Sequence, residues 1–116
     1  MEEFYSRFVM DLKGRGYVQG SQDHYLANLQ RFFKWIEKIP ANVTPDDVRR
    51  YQIMMIDQKL DPQTVNLRTA ALRFFFLTTL KKGWPTDFVP YMKRIKKQPM
   101  MNWLEKNRRL LIFLFE

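Results

Sequence analysis

Between Leu60 and Phe76 the chain reads LDPQTVNLRTAALRFFF, a run that leaves room for little besides a capped amphipathic helix. Asp61 sits where an N-cap belongs, and Pro62 takes the first helical position, where a missing N–H costs nothing. Val65, Thr69, Leu72 and Phe76 recur at i, i+4, i+7 and i+11, so they form one apolar stripe. Gln63, Asn66, Ala70 and Arg73 form a neighbouring polar stripe, and Arg68 adds a further cation to the same helix. Amide side chains pair bidentately with an adenine edge and arginine with guanine or a phosphate, so this helix carries the chemistry to read a major groove. The same residue types also occur on any solvated helix face.

Three further helices precede it. Phe4, Phe8 and Leu12 space a first helix that should end near Gly14 and Gly16. A second is expected from Ser21 to about Lys38, with Tyr25, Leu29, Phe32 and Ile36 on one face and Pro40 stopping it. Thr44 caps a third that opens Pro45, Asp46, Asp47 and buries Val48, Tyr51 and Met55. The fourth should run to about Lys81, Lys82 and Gly83, with cations at its negative end. No strand alternation or hairpin dipeptide interrupts this series, so the fold class expected is all-α, a small four-to-five-helix bundle.

A chain of 116 residues with 46% hydrophobic and 16% aromatic content supports one densely packed domain. The absence of cysteine removes disulfides, cysteine nucleophiles and thiolate metal sites together. A lone His24 has no second ligand one helical turn away, so neither a metal nor another cofactor is expected. No run of 18 apolar residues and no basic, apolar leader occurs, and no membrane partner is expected.

The net charge of +8 is unevenly placed. Residues 1–80 hold 11 basic and 9 acidic side chains, whereas residues 81–116 hold 9 and 3. The densest piece, Lys93, Arg94, Lys96 and Lys97, comes after a stretch containing Pro85 and Pro90 that should break any helix. Such a basic segment suits a polyanion, although a solubilising run has the same composition.

Helix two repeats the two-stripe design. Ser21, His24, Asn28 and Arg31 recur at i, i+3, i+7 and i+10 along one edge beside its apolar face. Ser21, near the positive helix end, either caps the helix or offers its hydroxyl and nearby N–H groups to a phosphate, and the two roles are compatible.

Together these elements resemble a known family. Gly16-Tyr17, Ser21, Tyr25 and Phe32 come first, then Thr44 through Tyr51 (TPDDVRRY) and Leu60 through Asn66 (LDPQTVN). Ala71-Leu72-Arg73-Phe74-Phe75 and Lys93-Arg94-Ile95-Lys96-Lys97 complete the order. The series is similar to the N-terminal core-binding domain of tyrosine recombinases, also called the phage-integrase SAM-like domain, over roughly residues 4–98. The resemblance implies one half of a C-shaped clamp around a recombination site, with the second and fourth helices approaching the major groove. It implies double-stranded DNA as partner, a recombinase subunit or catalytic domain as a second, and a cytoplasmic, nucleoid-associated location.

Carried over by position, Ser21 matches the family's helix-two threonine. Asn66 and Arg73 match its Thr-x-Asn and Ala-Leu-Arg positions, and Lys93 to Lys97 match its basic linker. The resulting candidate DNA contacts are Ser21, His24, Asn28, Arg31, Gln63, Asn66, Arg68, Arg73, Lys93, Arg94, Lys96 and Lys97. Two positions depart from the pattern. Val18 stands where a serine cap is usual, and Thr69 where a core leucine is usual, suggesting a looser core or a hydroxyl bonded back to the preceding turn.

The family cuts DNA with a separate C-terminal domain bearing a His-x-x-Arg pair and a tyrosine nucleophile, and no such pair occurs in this sequence. The expectation is therefore a binding module without catalytic residues, either a piece of a longer recombinase or an orphan of one. The competing class is a protein-interaction bundle derived from a recombinase. Beyond residue 98 the resemblance stops. Met100 to Glu116, ending in the apolar run LLIFLF, reads as a fifth helix, a frayed aggregation-prone tail, or a docking segment.

Overall fold

Two helix starts in this chain, at Thr44 and Asp61, are fixed by side-chain caps that the sequence supplies. The computed structural model describes residues 1–93, with α1 at Glu2–Gly14, α2 at Gln19–Ile36, α3 at Pro45–Asp57 and α4 at Pro62–Phe74. A single 3-10 turn, Pro40–Asn42, precedes α3, and Phe75–Thr79 continue α4 as a wider, π-type turn. The described residues contain helices, turns and extended connections only, in keeping with the expected all-α bundle. The proposed fifth helix lies outside them.

The second helix starts earlier than its sequence suggests. Val18 is its extended N-cap, and the Val18 carbonyl accepts from the backbone N–H of both Ser21 and Gln22 at 3.0 Å. The first turn thus closes on backbone alone, and Ser21 lies inside the helix rather than capping it. The same helix ends at Ile36, short of Lys38, because Glu37 adopts a left-handed φ of 50°. Gln22 donates to the Tyr17 carbonyl at 2.8 Å, tying the α1–α2 connection down.

Thr44 and Asp47 form a reciprocal capping box at the start of α3. The Asp47 carboxylate also takes Lys38 Nζ at 2.8 Å and the Arg50 guanidinium. Burial acts to raise the Asp47 carboxyl, but hydrogen bonds from Lys38, the Thr44 backbone and Arg50 outweigh it and hold the group at about 2, below its ordinary 3.8. A depressed carboxyl stabilises the fold above its unfolded pKa, and that contribution is lost as pH falls through the folded value. Stability is therefore expected to drop between pH 3.8 and about 2. With Lys38 and Arg50 side chains 39% and 56% exposed, the loss from this group should be on the order of 1–2 kcal/mol. Urea unfolding of the chain and of Asp47→Asn at several pH values checks this, since the variant should lack that component of the acid dependence.

The core is built of rings. Phe8, Phe32, Phe75 and Phe76 are fully buried, joined by Leu12, Leu29, Val48, Met55, Val65 and Leu72 from all four helices. Phe75 meets Phe4, Phe8, Phe33 and Phe76 at centroid distances of 5.0–6.4 Å, all edge to face. The apolar stripe of α4 predicts Phe76 in the core but not Phe75. The π-type turn, closed by Leu80 N–H to the Phe75 carbonyl at 2.8 Å, carries both inside.

Thr69 is 1% exposed and accepts from Gln52 Nε2 of α3 at 3.3 Å. Its hydroxyl is used across the helix pair rather than back along its own helix. The proline-containing stretch breaks the helix as expected but does not leave the bundle. Trp84 stacks on Phe76 at 4.9 Å, Phe88 N–H turns back to the Pro85 carbonyl at 3.0 Å, and Phe88 and Val89 are buried.

Candidate nucleic-acid interface

Packing of α2 against α4 leaves a shallow groove between them, lined by Ser21, His24, Tyr25 and Asn28 from one side and Thr64, Leu67 and Arg68 from the other. His24 is exposed, whereas Ser21, Thr64 and Arg68 are half-buried, so polar atoms lie at different depths. Among the described residues no carboxylate lines the groove, which suits an anion.

Of two arginines near the groove, Arg68 lines it and Arg31 is bonded to a residue that does. Arg31 donates to Asn28 Oδ1 at 3.0 Å, which orients the guanidinium along α2 and uses one acceptor of the nearly buried Asn28 amide. Burial pushes the Tyr51 hydroxyl up, and the positive charges of Arg68 and Arg31 oppose that rise. Arg68 also donates to Met55 Sδ of α3 at 3.9 Å. At the groove wall Tyr25 is pushed up to about 12, first by burial and then by Tyr17 and Tyr91. It stays a neutral hydrogen-bonding group at any physiological pH.

Four of the expected contacts, Ser21, His24, Asn28 and Arg68, are brought together in the groove, with Arg31 bonded to Asn28. Gln63 is exposed in the first turn of α4, where its backbone N–H donates to Asp61 Oδ2 at 3.0 Å. Asn66 and Arg73 are placed differently from the expected base-reading stripe. The Asn66 amide accepts from Met92 N–H at 2.7 Å and donates to the Met92 carbonyl at 3.1 Å, and Arg73 donates to the Val89 carbonyl at 2.9 Å. Their hydrogen-bonding atoms face the chain that returns over α4. Lys93 is exposed, and Arg94, Lys96 and Lys97 lie outside the described residues.

Sequence patterning alone does not mark Tyr25, Thr64 and Leu67 as groove residues. Thr64 and Arg68 are spaced i, i+4, so that second polar face of α4 is available to periodicity. Among the described residues no group of His, Asp or Glu side chains is placed to hold a metal ion, and no helix is long and apolar enough to cross a membrane.

Three comparisons bear on this arrangement. Residues 4–86 match the family model described as "Phage integrase, N-terminal SAM-like domain". Two proteins of Sinorhizobium fredii (strain NBRC 101917 / NGR234) are similar. "Putative integrase/recombinase y4qK" is 32% identical over 97 residues, covering 82% of this chain and 32% of that protein. "Putative integrase/recombinase y4eF" is 36% identical over 58 residues, covering 48% and 23%. The chain thus spans about a third or less of the length of these relatives. The crystal structure of XerA recombinase superposes with a TM-score of 0.66 at 24% identity, over 84% of this chain and 35% of that one, and shares the fold. On the family match over residues 4–86, this helical bundle belongs to the phage-integrase N-terminal SAM-like domain family.

Proposed function

We propose that the chain binds double-stranded DNA as the core-binding half of a recombinase clamp, leaving strand cleavage to a catalytic domain. The observation that carries this reading is the groove between α2 and α4, which gathers Ser21, His24, Asn28 and Arg68, with no carboxylate among its described lining residues, in a member of an integrase family. Arg68 and Arg31 would meet phosphates, Ser21 and Thr64 would add hydroxyl contacts, and His24 and the exposed Gln63 would reach base edges. The basic run from Lys93 through Arg94, Lys96 and Lys97 would track the backbone alongside. Its setting would be nucleoid-associated, next to a recombinase subunit or catalytic domain.

Fluorescence anisotropy with a short random-sequence duplex tests this. The chain should bind saturably at low salt, and Arg68→Glu should weaken binding about tenfold on every duplex, as expected for a charge-assisted phosphate contact turned repulsive. Absence of binding even at low salt overturns the reading and turns attention to the recombinase-derived protein-interaction class. Salt-insensitive association with a protein partner, tolerant of charge reversal at Lys96 and Lys97, would then be the behaviour to look for.

A further inference from the structure

Between Val89 and Met92 the chain passes over α3 and α4, and three polar side chains take up its backbone groups. Arg73 donates to the Val89 carbonyl at 2.9 Å, and Gln52 donates to the Pro90 carbonyl at 2.7 Å. Asn66 pairs with both the N–H and the carbonyl of Met92, at 2.7 and 3.1 Å. The Arg73 guanidinium also covers the Tyr91 ring at 4.9 Å. Gln52 is 4% exposed and is itself fixed by Thr69.

Apolar burial of Phe88 and Val89 would hold this segment near the bundle, but it would not choose its register or direction. Hydrogen bonds to successive peptide groups do, because a slip of one residue would break all of them at once and leave half-buried polar atoms unpaired. Asn66 and Arg73 sit on α4, the same rigid helix that presents Thr64, Leu67 and Arg68 to the groove. Whatever they hold is therefore held in a fixed relation to the groove. Directly after the held segment the chain continues into Lys93, Arg94, Ile95, Lys96 and Lys97.

We infer that Gln52, Asn66 and Arg73 are positioning residues that grip the backbone of Val89–Met92 and so fix the position of Lys93, the first residue of the basic run, relative to the α2–α4 groove. This rests on the DNA-binding reading above. A polycation that starts from a fixed point loses less freedom on meeting a phosphate track than one on a loose tether, so the grip raises affinity without touching DNA. It also gives the Asn66 and Arg73 side chains a role other than reading bases.

The test uses the full chain, with Asn66→Ala and Met92→Pro breaking the same hydrogen-bonded pair from its two ends. Met92→Pro lies outside every helix and leaves α4 unchanged, while Met92→Leu keeps the N–H and serves as control. Two quantities are read: amide hydrogen exchange at residue 92 by NMR (for Met92→Pro, at Tyr91 and Lys93), and anisotropy affinity for several duplex sequences at one salt concentration. The wild-type Met92 amide should be protected. Asn66→Ala should lose that protection and Met92→Pro should raise exchange at its neighbours, and both should weaken binding about 3- to 10-fold on all sequences alike.

A wild-type Met92 amide that exchanges freely overturns the inference, as does loosening of the segment with unchanged affinity. So does a change of sequence preference in Asn66→Ala that Met92→Pro does not share, which would return Asn66 to base reading. If the wild-type chain binds no duplex, the DNA reading fails and the positioning role fails with it. A protected Met92 amide in that case would mark the grip as purely structural, which separates the two failures.

Discussion

The affinity of this chain for duplex DNA is expected to fall by about three orders of magnitude between about 50 and 200 mM salt. The proposed mode calls on six cations: Arg68 in the groove, Arg31 bonded to its Asn28, and Lys93, Arg94, Lys96 and Lys97 of the basic run. Each phosphate neutralised releases condensed counterions, adding about −0.9 to the slope of log affinity against log salt, so six contacts give roughly −5. Arg73 is left out because its guanidinium faces the chain that returns over α4, bonded to the Val89 carbonyl and over the Tyr91 ring, whereas Arg68, which donates to Met55 Sδ, lines the groove and Arg31 is bonded to its Asn28. Anisotropy titrations at four or more salt concentrations give the slope directly. Lys96→Glu with Lys97→Glu should make it shallower by about 1.8, two contacts' worth, and weaken all sequences alike. A flat salt response would contradict phosphate binding altogether.

Phe75→Ala should destabilise the fold by about 3–5 kcal/mol, a large part of the roughly 5–15 kcal/mol that holds a domain of this size together. The side chain is fully buried and touches four other rings, Phe4, Phe8, Phe33 and Phe76, so truncation removes edge-to-face contacts from α1 and α2 at once. It also empties the space that the π-type turn was widened to fill, and a cavity bounded by four aromatic rings collapses poorly. Phe74→Ala, one residue earlier and only half-buried against Phe8 and Tyr17, should cost clearly less. Urea unfolding of both variants compares them, and equal losses would mean that the wide turn relaxes to a regular helix when Phe75 is removed.

Helix existence, order and most of the core are legible in the residues because their causes are local. The Thr44 cap, Pro45, the Asp61 cap and Pro62 each act within one turn, and all are found where the chain places them. The start of α2 is not legible in this way, because Ser21 looks like a cap while the actual closure uses the Val18 carbonyl, a backbone group that carries no residue signature. Phe75 escapes the pattern for a related reason. A 3.6-residue period assumes a regular helix, and the π-type turn breaks that assumption just where three phenylalanines stand together.

For the candidate site the division is sharper. The polar edge of α2 is visible as a stripe and its Ser21, His24 and Asn28 line one groove, but on α4 the groove takes Thr64, Leu67 and Arg68 and none of the stripe Gln63, Asn66, Ala70 and Arg73. The polar side of α4, however, contains residues with two different surroundings. Thr64 and Arg68 face α2, while Asn66 and Arg73 face the chain that returns from Trp84 to Met92.

By itself the sequence determined an all-α bundle, its caps and periodicities, the placement of excess charge after residue 80, and the family to which the chain belongs. Only the tertiary structure decided which polar side chains remain available and which are engaged within the fold. The physical reason is that an amide or guanidinium has the same hydrogen-bonding chemistry toward a base edge, a phosphate or a backbone carbonyl. Its partner is set by which segment packs beside it. For Asn66 and Arg73 that segment lies 26 and 16 residues further along the chain, beyond the reach of any local pattern.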